Sequence, residues 1–331
     1  MKRLTILIII LWTLLPAMVC AQYQDTGQLY AVLVSGGRNK LTNHERYWND
    51  CAFLYRTLRQ TYRVPKRNIM VLMSDGGDAE RDMLRADGRG FMSMSTDLDG
   101  DGQPDVSLSA TLQNLESTIN DLTHRLTADD RLLFYIVDHG GYDDSDGRPY
   151  LWLWGDEQLY GGHLADMLGK LQVGLVSILL GQCYSGAFMA GLQAPNRIVT
   201  TACSATEQSW SCLDRPYDEF VYHWTCAVAG RDENGLPIYS DSDGDGQVSM
   251  AEAYDYACRQ DRRPETPQFA SWPYELGRQW ALGSLVADGV GHVLADEDVQ
   301  TFWSLLGVRQ TSLRRGLSVV RQNGKTRKIM R

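Results

Sequence analysis

Cysteine pairs at metal-binding spacing, membrane-length apolar runs and long repeats are all missing from this 331-residue chain, and each absence excludes a class of protein. No two of the seven cysteines stand in C-x-x-C spacing, which argues against a zinc centre. The longest apolar run, residues 4–15, is too short for a bilayer span, which takes about 20 residues. The only internal similarity is between two short aspartate-rich loops. Proline (10) and glycine (31) are unremarkable, so composition marks no segment as disordered. With 44% hydrophobic and 22% charged residues, the chain can build one large α/β core with appendages.

Positive charge is scarce except at one end. The stretch 309–331 holds eight basic residues and no acidic one; the remainder carries 24 basic against 41 acidic, a formal −17. So acidic a body argues against nucleic acid as a partner. At the other end, Lys2 and Arg3 precede the apolar run, followed by Pro16 and the small-residue pattern Val19-Cys20-Ala21. That is a signal peptide, residues 1–21, cleaved after Ala21, and the expectation is a secreted, periplasmic or cell-surface protein without a membrane span. Lipidation of Cys20 is the competing reading, and Val19 suits it poorly. Cleavage leaves Cys51, Cys183, Cys203, Cys212, Cys226 and Cys258, too few for a disulfide-built scaffold.

Between the ends, short apolar runs alternate with amphipathic ones. Strands are expected over 29–34, 69–73, 132–137, 173–180 and 197–202, and helices over 46–62, 108–126 and 162–171. Strands apolar throughout and separated by helices imply a mostly parallel sheet covered on both faces. In such sheets functional residues gather at the carboxyl ends of strands. His139 and Cys183 each follow a strand within three residues.

Cys183 lies in Gln182-Cys183-Tyr184-Ser185-Gly186 and is expected to open a helix, whose amide dipoles would favour the thiolate. A thiolate attacking a peptide carbonyl needs a proton donor for the leaving amine and N–H groups for the oxyanion. His139 can supply the first, and the amides of Gly140 and Cys183 the second. The 44-residue spacing equals one helix-containing crossover, which would place the two residues on adjacent strands. A lone cysteine after a buried strand is usually just a small core residue. The pairing with a glycine-flanked histidine is what favours chemistry.

These blocks resemble legumain-type (family C13) cysteine peptidases of the caspase-like fold. The run Leu132-Leu133-Phe134-Tyr135-Ile136-Val137-Asp138-His139-Gly140 is similar to their strand-Asp-His-Gly block, and Ile178-Leu179-Leu180-Gly181-Gln182-Cys183-Tyr184-Ser185-Gly186 to their strand-xxCxSG block. Arg46-Tyr47-Trp48-Asn49-Asp50-Cys51 is similar too. The resemblance covers about residues 29–230. It implies a three-layer α/β peptidase domain over 22–230, a Cys183–His139 dyad, and protein or peptide substrates with self-processing as an option. It also implies Asp138 as the family's Asp before the histidine and Arg46 as an arginine of the S1 pocket. The acidic wall of that pocket is left open among Asp214, Asp218 and Glu219. Two positions depart from the family: Gly181 replaces an acidic residue, and His44 stands nearest the histidine-orienting asparagine, leaving Asn43 as the candidate.

Two loops point to calcium, and no organic cofactor is expected. In residues 241–252, Asp241, Asp243, Asp245, the Gln247 carbonyl, Ser249 and Glu252 fall at the EF-hand ligand positions, with Gly246 at the turn. A strand at 236–239 is expected in place of an entering helix, and a helix from Ala251 onward. The second loop, with Asp97, Asp99, Asp101, Gln103 and Asp105, repeats the first half but carries Leu108 at the twelfth position. Residues 231–290 thus form a calcium-type loop and helical extension, and 291–331 a short basic β-hairpin unit turning at Asn323-Gly324. That unit resembles the terminal hairpin of type IX secretion sorting domains; a plain basic strand pair explains it equally. The function expected is cysteine endopeptidase, with transamidase, or an inactive calcium-stabilised binding protein, as rivals.

Overall fold

The computed structural model describes residues 27–284 and the backbone of four strands further on. The order is β1 (Leu29–Ser35), α1 (Glu45–Arg56) continued by a π-helical turn (Thr57–Thr61), β2 (Ile69–Met73), then a hairpin of β3 (Arg81–Leu84) and β4 (Phe91–Ser93). There follow α2 (Leu112–Arg125), β5 (Arg131–Ile136), a small antiparallel sheet of β6 (Gly140–Tyr142), β7 (Pro149–Leu153) and β8 (Glu157–Tyr160), then α3 (Gly161–Gly169). The chain continues through β9 (Leu175–Leu180), β10 (Arg197–Thr201), α4 (Glu219–Ala229), β11 (Gln247–Ser249), α5 (Met250–Gln260), β12 (Gln268–Trp272), α6 (Leu276–Gln279) and β13 (Ala281–Ser284).

The central sheet runs β12-β10-β9-β5-β1-β2. Its five expected strands are parallel, and β12 closes the β10 edge antiparallel. Side-chain alternation splits each strand between two cores. Leu29, Ala31 and Leu33 of β1 join Leu133 and Tyr135 of β5 in the core that also takes Leu54 of α1, Trp224 of α4 and Ala253 of α5. Tyr30, Val32 and Val34 join Leu132, Phe134 and Ile136 in the opposite core, with Leu115, Ile119 and Leu122 of α2 and Leu164 of α3. Helices on both faces of a mostly parallel sheet make three layers.

Local signals set the helix ends. Thr111 caps α2 by accepting the Asn114 N–H, and Ser249 with Glu252 forms a reciprocal capping box on α5. Residues 236–239 form no strand; Ile238 N–H bonds back to the Gly230 carbonyl, a closure of the loop after α4. Beyond 284, β14 (Thr301–Ser304), β15 (Arg309–Gln310), β16 (Leu317–Gln322) and β17 (Lys325–Met330) make an antiparallel sheet in the order β15-β14-β16-β17. Gln322 pairs with Lys325 there, as a two-residue hairpin connection requires. The expected cleavage site after Ala21 lies outside the described residues, and among these no helix is long and apolar enough to cross a membrane.

Candidate active site

Neighbouring strands β5 and β9 end in register, Ile136 opposite Leu180, so His139 and Cys183 both stand three residues past the last pair. The ladder extends one step, with the Gly181 N–H on the Ile136 carbonyl at 2.8 Å. Gly140 then comes hard against the nucleophile segment: a Cβ there would sit 2.2 Å from the Cys183 carbonyl oxygen. Gly181 is glycine for a similar reason. A Cβ would meet the Val221 methyl of α4 at 2.7 Å, so the acidic residue expected by the resemblance has no room.

Cys183 is a free, half-buried thiol. Its sulfur lies 3.7 Å from the Ser209 hydroxyl, which donates to it, and 3.8 Å from the Ser209 carbonyl. The expected helix after it is a 3-10 turn (Ser185–Phe188), with Tyr184 left-handed at φ 60°. Four residues of 3-10 geometry carry little dipole, so the polar groups that meet the sulfur are those of Ser209 rather than a helix terminus. All six cysteines between 27 and 284 are free.

The His139 ring Nε2 lies 3.0 Å from the Thr42 carbonyl. A carbonyl only accepts, so Nε2 carries the hydrogen and Nδ1 is left as the free base. Burial lowers the His139 pKa, partly offset by that hydrogen bond. Tyr47 and His44 pack their rings against it at 5.3 and 5.4 Å between centroids. His44 is pushed down to about 3, chiefly by burial, so it stays neutral beside the base. Asn43 does not orient the imidazole. Its amide is buried and turned to the Asp82 carbonyl at 3.4 Å. The orienting group is a main-chain oxygen one residue earlier.

Asp138 is buried, and its carboxylate accepts the N–H groups of Gly36, of Gly37 at 2.9 Å and of His139 at 2.7 Å. Burial pushes its pKa up to about 7 against the pull of those three amides. The residue therefore ties the end of β1 to the end of β5.

Arg46, in the first turn of α1, donates from Nε to Asp218 at 2.9 Å and from its terminal nitrogen to the Tyr47 hydroxyl at 3.0 Å. Burial opposes its charge, but the Asp218 carboxylate more than compensates and holds its pKa above the ordinary value. Beneath the pair, Asp50 accepts the Asp218 N–H at 3.1 Å. Burial and the neighbouring Asp218 charge push the Asp50 carboxyl well up. Of the three acidic candidates, Asp218 faces Arg46. Glu219 turns to the Arg262 N–H at 3.1 Å and His223 at 3.6 Å, and Asp214 pairs with Arg215 and Arg262 at the rim. A cleft of about 640 Å³ is lined by His44, Arg46 and Asp214 with the β3–β4 hairpin opposite.

The two aspartate loops share one backbone pattern. Asp241 accepts the N–H groups of Gly244 and Gly246, as Asp97 does those of Gly100 and Gly102. Carboxylate oxygens of Asp241, Asp243 and Glu252 lie within 4.8 Å of one another, and so do those of Asp97, Asp99 and Asp105. Asp245 and Asp101 are turned to the amides of Gln247 and Gln103. Ser249 is occupied by the α5 cap. In both loops the inner carboxylate is engaged by protein donors: Asp105 by Lys66 at 2.6 Å and the Tyr55 hydroxyl at 2.7 Å, and Glu252 by Ser242, the Asp243 N–H and Ser249.

A parallel, helix-covered sheet with a thiol and an imidazole at adjoining strand ends defines a caspase-like α/β protein of the cysteine peptidase class. The sequence matches the Peptidase C13 family over residues 29–227, and the chain belongs to that family of cysteine peptidases and transamidases acting on peptide bonds. Among solved structures, the chain is matched with the crystal structure of protein GSU0716 from Geobacter sulfurreducens at 14% identity and a TM-score of 0.44, over 73% of this chain and 92% of that one. No curated protein matches the chain.

Proposed function

We propose that the protein is a secreted cysteine endopeptidase with Cys183 as nucleophile and His139 as general acid–base. The observation that carries this reading is the shared offset of the two residues past register-matched strand ends, with the imidazole tautomer set by the Thr42 carbonyl. Sγ attacks the scissile carbonyl carbon while its proton passes to His139 Nδ1. The amides of Gly140 and Cys183 hold the oxyanion, and the imidazolium gives its proton to the amine as the C–N bond breaks. Water, deprotonated by Nδ1, then attacks the thioester and releases the acid. Arg46 and Asp218 form the floor of the pocket for the residue before the scissile bond. Calcium in the 241–252 loop, on Asp241, Asp243 and Glu252, braces the loop ahead of α5.

Replacing Cys183 by Ala tests the assignment. Turnover of a peptide library and labelling by a thiol-reactive peptide electrophile should both vanish, while the melting temperature holds. Turnover that survives the change sinks the reading.

A further inference from the structure

Everything past residue 227 lies outside the family match, yet part of it reaches the wall beside Cys183. Residues 207–210 have no regular structure. They bring Ser209 to the sulfur, and the Glu207 carbonyl to the Tyr184 N–H at 2.8 Å. What holds this stretch comes from residues 261–266, at the end of α5. Glu265 accepts the Trp210 N–H at 2.8 Å, Thr266 donates its N–H and hydroxyl to the Glu207 carboxylate at 2.9 and 3.0 Å, and the Arg263 guanidinium lies 4.8 Å over the Trp210 ring.

The second oxygen of Glu265, Oε1, is buried, as is Asp261 Oδ2, and no N–H or O–H donor from the described residues meets either. The two carboxyls are hydrogen-bonding neighbours, and a proton shared between them satisfies both oxygens. Burial and the Asp261 charge push the Glu265 pKa up to about 10, with Asp218 from the head of α4 adding to it and Cys203 also near. On the other side, Asp261 accepts the Arg263 N–H at 2.8 Å and feels Glu219 of α4 and the Arg263 charge. At neutral pH Glu265 therefore donates from Oε1 to Asp261 and accepts from Trp210 at Oε2.

We propose that the carboxyl pair Glu265–Asp261 is a positioning device for catalysis: by gripping the Trp210 amide it sets Ser209 and the 207–210 wall against Cys183. The catalytic half of this claim rests on Cys183 being the nucleophile; the mechanical half does not.

The test uses the full chain with Glu265→Ala and Glu265→Gln. Glutamine keeps both hydrogen bonds, accepting from Trp210 and donating to Asp261, and alanine keeps neither. Hydrogen exchange of the peptide covering 204–212 should rise tenfold or more in E265A and stay at the wild-type rate in E265Q. The specificity constant kcat/KM should fall tenfold or more in E265A, mainly through kcat, and recover in E265Q. Because the folded state keeps the Glu265 proton above its ordinary 4.5, the wild type should lose stability relative to E265Q as pH rises toward about 10. Melting temperatures at about pH 6 and about pH 9 read that difference, and do so even if E265A fails to fold. Unchanged exchange in E265A overturns the brace, and raised exchange with unchanged kcat/KM overturns its catalytic role. A pH-independent gap between E265Q and wild type overturns the shared proton. Activity surviving in C183A would instead overturn the peptidase reading, leaving the exchange result to judge the brace.

Discussion

Substituting Gly140 by Ala separates the site's geometry from its chemistry, because every hydrogen-bonding group survives the change. The added Cβ would stand 2.2 Å from the Cys183 carbonyl oxygen and 2.8 Å from the Gln182 side chain, where ordinary contact begins at 3.4 Å. The Cys183 segment must then retreat by about 1 Å, since the opposing atom is main chain. Overpacking of this kind costs about 1–3 kcal/mol, and each kcal/mol lowers the melting temperature of a protein this large by about 2–4 °C. The kinetic penalty should be larger: an ångström of misplacement between reacting groups costs about 100-fold. Steady-state hydrolysis of a fluorogenic peptide, beside a thermal melt, measures both. Gly162→Ala is the control, since nothing lies within 4 Å of the Cβ it would add in the first turn of α3, and helix propensity favours it by about 0.5–1 kcal/mol. A folded G140A enzyme within twofold of wild-type kcat/KM would refute the contact between the two strand ends as a determinant of activity.

Two further outcomes follow from charges. Arg46→Ala strands the Asp218 carboxylate in the interior without its cation and should cost about 3–5 kcal/mol in urea denaturation; Asp218→Asn in the same chain should recover part of that, and a loss under 1 kcal/mol would show the pair to be solvated. At roughly 1 mM calcium and a Kd of about 10⁻⁴–10⁻³ M, occupancy of the 241–252 loop should add about 0.4–1.4 kcal/mol, removed by a chelator. Glu252→Gln retains the cap with Ser249 and should abolish that increment; equal melts of the wild type with and without chelator would dispose of the calcium site.

Although β10 (Arg197–Thr201) also buries Arg197, Thr200 and Thr201, the parallel strands are readable from the chain because most are dominated by apolar residues, the mark of burial on both faces. Helix α4 is not: Phe220, Val221, Trp224, Cys226 and Val228 are buried all round it, so it shows no stripe to distinguish helix from strand. Edge strand β12 hides because it is short and mixed in character, although Phe269 packs into one core and Trp272 into the other. Gln268-Phe269-Ala270-Ser271-Trp272 sits between prolines and interleaves polar with apolar residues too briefly to show a period. In the site, Cys183 and His139 stand out as chemistry at strand ends, whereas Thr42 acts through its backbone oxygen, which no residue type announces. Choosing Asp218 over Asp214 and Glu219 depends on how the head of α4 is turned, a tertiary fact. Glu265 is invisible because its partner, Trp210, is 55 positions away.

The antiparallel pairing of β12 with β10 has a consequence for any attempt to work with the family-matching part alone. A chain stopped near residue 230 would leave the Arg197–Thr201 backbone with its outer amides and carbonyls unclaimed, an open rim that invites other molecules to add strands. Self-association of such a fragment would follow from that missing lid, whatever the integrity of its catalytic residues.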